Sequence, residues 1–142
     1  MLAPGAGLRD VFVARRRPSA RDPVPLVVIV DDDPLFAHAT AVILGFAGYE
    51  VSTHLSLQGG LEFLGSHTAD VLVADLHLED GSGWDLIAFA REHLPDLSVV
   101  VVSGYYDALA EENARRFGVA VLTKPFDPDD LINVVNGMTG RR

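Results

Sequence analysis

Leu26-Val27-Val28-Ile29-Val30-Asp31-Asp32-Asp33-Pro34 drives five apolar residues straight into three acids and a proline. An unbroken run of this kind, rich in valine and isoleucine, suits a strand covered on both faces, as in a parallel sheet flanked by helices. Asp33-Pro34 then supplies an N-cap acid before a proline suited to the first helical position, so a helix begins where the turn ends. Buried strand, acidic turn and helix make the first half of a β-α-β unit.

The alternation continues outward from there. Apolar runs at 49–53, 71–74, 97–102 and 119–122 predict four more parallel strands. A second helix is predicted over about 56–66, a third from Asp80-Gly81-Ser82-Gly83 to about His93, stopped by Pro95, and a fourth over about 107–117 before Gly118. Asp127-Pro128 repeats the acid-proline start and opens the last helix. The 56–66 helix is the weakest, since Gly59 and Gly60 sit inside it and each costs about 1 kcal/mol relative to alanine. Residues 1–25 mix Gly, Pro, Ala and Arg without periodicity and read as a disordered or loosely docked leader, with a transit peptide as the alternative; residues 26–142 make the folded domain.

A chain of 142 residues suits one domain with a real core. No apolar run approaches the roughly 18 residues of a membrane span, so no membrane insertion is expected and the cytoplasm is the expected compartment. The chain has no cysteine, which excludes a disulfide, a thiolate nucleophile and Cys-bound zinc. Five arginines against two aspartates leave +3 in residues 1–25, so the remainder carries −12 of the net −9. An acidic body repels nucleic-acid phosphate and favours a cationic partner or a metal ion; no nucleic-acid partner is expected.

In an open parallel sheet, ligands bind at the carboxyl ends of the strands. Asp31-Asp32-Asp33 follows the first strand, Asp75 the third, Ser103-Gly104 the fourth and Lys124-Pro125 the fifth. Carboxylates gathered in one pocket either take up protons or are neutralised by a cation, and a small all-oxygen donor set suits magnesium. Lys124, the only lysine, can pair with a phosphoryl oxygen as a compact charge, and the Ser103 hydroxyl can donate to another. Asp75, alone on a central strand, is the natural nucleophile for an acyl phosphate.

These motifs, with Asp70-Val71-Leu72-Val73-Ala74-Asp75-Leu76 and Thr123-Lys124-Pro125-Phe126 in order over about residues 26–138, resemble the receiver domains of two-component response regulators. The resemblance implies a flavodoxin-like (βα)5 doubly wound sandwich with a five-stranded parallel sheet in order 2-1-3-4-5. It implies that Asp31, Asp32, Asp75 and the backbone carbonyl of His77 ligate magnesium, that Asp75 accepts the phosphoryl group, and that Ser103 and Lys124 contact it. Gly83 matches the family glycine of the loop after Asp75. Two departures stand out: Glu79 replaces a frequent proline, which loosens that loop, and Val121 takes the place of the usual aromatic residue three before the lysine. Tyr105 and Tyr106 follow Ser103-Gly104 directly, and one of them is the candidate replacement.

Several residues have plainer explanations. Asp33 reads as a helix cap rather than a ligand. His38, His54, His67, His77 and His93 show no metal-ligand spacing. Phe36, Phe46, Phe63 and Phe89 read as core and Trp84 as a helix-start anchor, and no Gly-rich phosphate loop opens the first helix. The resulting expectation is a phosphoacceptor switch, self-catalysing phosphoryl uptake and slow autodephosphorylation but otherwise not an enzyme. It would be charged by a sensor histidine kinase or a histidine phosphotransfer protein and, ending just after its last helix with no output domain, would signal through a downstream protein target. A phosphorylation-dependent homodimer is left open. The alternatives are a phosphorylation-independent docking module on the same fold and a haloacid-dehalogenase-type phosphatase, the latter disfavoured because a proline follows the triple acid at once, the single acid lies on the third strand and there is no cap-sized insertion.

Overall fold

The computed structural model describes residues 23–141, so the expected leader over 1–25 lies outside the described residues except for its last three. In chain order the elements are β1 (Leu26–Val30), α1 (Pro34–Phe46), β2 (Glu50–His54), α2 (Leu57–Ser66), β3 (Val71–Ala74), β4 (His77–Leu78) and β5 (Gly81–Ser82). There follow α3 (Gly83–His93), β6 (Ser98–Ser103), α4 (Ala108–Phe117), β7 (Ala120–Thr123) and α5 (Pro128–Thr139). The five longer strands form a parallel sheet in order β2-β1-β3-β6-β7, while β4 and β5 pair only with each other. Leaving that small hairpin aside, this is the expected 2-1-3-4-5 order of a flavodoxin-like doubly wound sheet.

Alternation along each strand divides the core in two. Val27, Ile29, Val71, Val73, Val100 and Val102 face α1 and α5, where Ala37, Leu44, Leu131 and Val135 meet them. Val28, Val30, Leu72, Ala74, Val99 and Val101 face α2, α3 and α4, meeting Leu57, Leu64, Leu86, Ile87, Ala90 and Ala110. β2, β6 and β7 each run one residue later than their apolar runs, because pairing rather than hydropathy ends them: Val30 is in register with His54 and Ser103 with Thr123.

The helix read as weakest is complete, and its glycine has a packing reason. A Cβ on Gly60 would lie 2.8 Å from a Val30 methyl, so the missing side chain is what lets α2 seat on the sheet. Its first turn is capped twice. Ser56 Oγ accepts from the Gly59 N–H at 2.9 Å, and the Asp80 carboxylate accepts from the N–H groups of Leu57 and Gln58 at 2.8 and 3.0 Å. Asp33 caps α1 as expected, accepting from Leu35 and Phe36 at 3.0 and 3.3 Å, whereas Asp127 holds the N-cap position of α5 without a side-chain bond.

One core assignment is corrected. Phe46 is 89% exposed, because α1 turns it to the outer face in line with exposed Leu35 and Val42. Phe36, Phe63 and Phe89 are partly buried against the core, and Trp84 stacks on Phe117 at 6.0 Å. Arg91 ties the far end of α4 down: its guanidinium donates to the carbonyls of Phe117, Gly118 and Leu97 at 2.7, 3.3 and 2.7 Å. Among the described residues no helix is long and apolar enough to cross a membrane.

Candidate functional site

The sheet fixes the backbone of each residue singled out at the strand ends. The N–H of Asp31 donates to His54 O at 3.1 Å, that of Asp75 to Val30 O at 3.0 Å, and that of Lys124 to Ser103 O at 2.8 Å. Four successive parallel crossovers thereby deliver side chains from β1, β3 and β7 to one edge of the sheet.

There they meet. Lys124 Nζ donates to Asp31 Oδ2 at 3.0 Å and to Asp75 Oδ2 at 3.5 Å, and lies 4.0 Å above the centre of the Phe36 ring. The remaining oxygens are held by the backbone: Asp31 Oδ1 accepts from the Asp33 N–H at 2.9 Å and Asp75 Oδ1 from the His77 N–H at 3.3 Å. One carboxylate oxygen from each of Asp31, Asp32 and Asp75 lies within 4.8 Å of the others. Asp31 is only 1% exposed. Loss of hydration pushes its carboxyl above the ordinary value of 3.8 and the nearby Asp75 charge adds to this, while the Asp33 N–H and the Lys124 ammonium oppose it. Three carboxylates around one ammonium leave an excess of negative charge, and the donors are all hard oxygens. That set fits a magnesium ion.

Ser103 arrives at the same edge fully buried, but its hydroxyl is engaged elsewhere. Oγ donates to Tyr105 O at 2.9 Å and accepts from the Tyr105 N–H at 3.3 Å. Val121 and Tyr106 both pack, partly buried, against the core on the α2–α3–α4 side. The loop after Asp75 folds into the β4–β5 hairpin, its tip pinned to α2 through Asp80. Gly83 closes that loop against the end of β3: a Cβ there would lie 2.1 Å from Asp75 O.

Two residues here escaped the sequence reading. Asp80, read only as part of a helix start, caps a helix that begins 23 residues earlier, and no local pattern signals a bond of that span. Phe36, read as core, also provides the face on which the lysine ammonium rests. Its position three residues after Asp33 was the only available hint.

Comparison with known proteins agrees with this geometry. The family profile described as "Response regulator receiver domain" matches residues 27–136. The chain is 32% identical over 117 residues to the acid tolerance regulatory protein ActR of Rhizobium meliloti, covering 82% of this chain and 60% of that protein. It is 33% identical over 108 residues to the transcriptional regulatory protein KdpE of Mycobacterium tuberculosis, covering 75% and 47%. The chain thus spans about half to three fifths of the length of these relatives. Among solved structures, a CheY-like response regulator receiver domain protein from Methanospirillum hungatei superposes with a TM-score of 0.79 at 27% identity, covering 83% of this chain and 96% of that one. A response regulator described as putative, from Chloroflexus aurantiacus, gives 0.76 at 28% identity, covering 84% and 100%. The family match sets aside the dehalogenase-type phosphatase. With its parallel sheet, its strand-end acids and its lone lysine accounted for together, the chain belongs to the response regulator receiver domain family.

Proposed function

We propose that the chain is a phosphoacceptor signalling switch whose acceptor is Asp75. The observation that carries this reading is the single ammonium of Lys124 shared between Asp31 and Asp75, with Asp32 beside them. An Asp75 carboxylate oxygen attacks the phosphorus of a phosphohistidine on a sensor histidine kinase or a histidine phosphotransfer protein. The P–O bond forms, the P–N bond breaks, and the imidazole leaves with the electron pair and takes a proton from solvent. Lys124 then pairs with a phosphoryl oxygen, and the Ser103 hydroxyl donates to another on leaving Tyr105 O. Asp31, Asp32, Asp75 and the His77 carbonyl are the groups that would hold magnesium. When bound, the ion supplies neutralising charge for the carboxylates and the incoming phosphoryl group.

A signalling rather than a metabolic role follows from this chemistry: uptake of a dianionic group at a strand end shifts a conformational equilibrium, and a downstream protein reads the shift. The acidic charge disfavours direct contact between this body and nucleic acid. Curated relatives include longer transcriptional regulatory proteins, so that statement concerns the receiver body alone. The cytoplasm is the compartment this reading implies.

Intact mass after incubation with a small acyl-phosphate donor, with and without magnesium, tests the proposal. One phosphoryl group gained only with magnesium, and absent in Asp75→Asn, is the expected result. No adduct, together with undetectable magnesium binding, would leave the phosphorylation-independent docking module as the reading.

A further inference from the structure

We propose that Tyr105 carries the state of the acceptor pocket to the surface, by moving its ring into the cleft between α3 and α4. This rests on Asp75 being the acceptor. The link begins at Ser103, whose buried hydroxyl donates to the Tyr105 carbonyl. A hydroxyl has one proton to donate. Given to a phosphoryl oxygen on Asp75, it is withdrawn from Tyr105, and the segment 104–107, which forms no regular element, loses the bond that sets its course. Gly104 gives that segment a free joint, being exposed with nothing within 4 Å of where a Cβ would stand.

The ring has somewhere to go. Tyr105 is 64% exposed, tilted against His77 with centroids 6.1 Å apart. It forms one wall of a cavity of about 200 Å³ whose other walls include Leu76, Trp84, Leu109 and Ala110. That volume is the liquid share of roughly six or seven waters at about 30 Å³ each, enough for one phenol ring. Its apolar walls favour a ring that is now in water. The neighbouring candidates are unsuited: Tyr106 is already packed against the core, and Val121 has no ring to move. The surface that changes is therefore the mouth of the α3–α4 cleft, at Leu109 and Asn113, rather than the side of the sheet edge at β7.

Trp84 lines this cleft and is the only tryptophan of the chain, so its fluorescence reads the movement without ambiguity. Acrylamide quenching is measured on the full chain with magnesium alone and with magnesium plus beryllofluoride, alongside intact mass after acyl-phosphate treatment. In wild type and in Tyr105→Phe, beryllofluoride should lower the quenching constant roughly two-fold, as one face of the indole becomes covered. Tyr105→Ala should take up the phosphoryl group, since its carbonyl remains, yet show no protection. Equal protection in Tyr105→Ala overturns the inference. So does an unprotected wild type that carries the Asp75 adduct, or a Tyr105→Ala chain that cannot be phosphorylated; in each of these cases the acceptor assignment survives. Absence of any adduct in wild type overturns both.

Discussion

Gly83→Ala puts the closure of the loop after Asp75 to the test. The added Cβ would stand 2.1 Å from Asp75 O and 3.0 Å from both Asp75 C and Leu76 Cα. Restoring an ordinary C···O approach of about 3.3 Å requires the start of α3 or the Asp75 backbone to yield by about 1.2 Å. The obstacles are backbone atoms of a sheet-anchored residue, not the end of a flexible side chain. The cost therefore falls at the upper end of the overpacking range, about 3 kcal/mol. With a urea m value of about 2 kcal/mol/M, the unfolding midpoint should drop by about 1.5 M. On the proposed acceptor role, an Asp75 displaced by about 1 Å should also take up phosphoryl about a hundredfold more slowly. Gly65→Ala is the control: α2 presents that position with nothing within 4 Å, and the substitution should stabilise by about 0.5–1 kcal/mol. A Gly83→Ala chain matching wild type in both midpoint and uptake rate would refute the reasoning, because the loop would then have yielded freely.

Asp31→Asn relieves the crowding of three carboxylates round one ammonium, so it should raise the urea midpoint without magnesium; on the proposed ligand role of Asp31 it should also abolish the stabilisation expected of magnesium, about 2.7 kcal/mol at a hundredfold excess over Kd. The Asp80 carboxyl lies below its ordinary value of 3.8 because the N–H groups of Gln58 and Leu57 bond the charged form. Its contribution is thus present above the unfolded value and lost as pH falls from 3.8 through the depressed folded one. Amide protection in the first turn of α2, taken relative to the intrinsic exchange rate at each pH, should fall over that window in wild type and be low at every pH in Asp80→Ala. Phe46→Ser should leave stability within about 0.5 kcal/mol of wild type by urea unfolding, whereas Leu44→Ala, two residues earlier and fully buried, should lose about 2–5 kcal/mol.

β1 and β3 were legible from hydropathy alone because both of their faces are covered and every side chain must be apolar. β2 lies at the sheet edge with Glu50 and Thr53 exposed, and there the apolar run misjudged the boundaries. α2 looked weak because a propensity scale charges Gly60 for its missing side chain and cannot credit the Val30 methyl that occupies the space. The acids and the lysine were readable as a group because parallel crossovers bring strand ends to one edge whatever their separation in sequence. The Ser103 rotor was not, since its direction depends on which partner competes for a single proton, and that is a property of state. Phe46 went wrong for a simpler reason: large apolar residues are not confined to interiors.

The Arg91 guanidinium gives α4 unequal ends. Two of its three bonds hold the last carbonyls of that helix, and the third reaches the residue just before β6, Leu97. The other end begins at Asp107, directly after the Tyr105–Tyr106 pair; it is capped by Asp107 on the Ala110 N–H, and among the described residues no side chain of another element hydrogen-bonds it. A helix fixed at one end behaves as a lever with its fulcrum there. Small rearrangements of the loop after Ser103 should then reach the first turn of α4 before they reach the residues near Phe117.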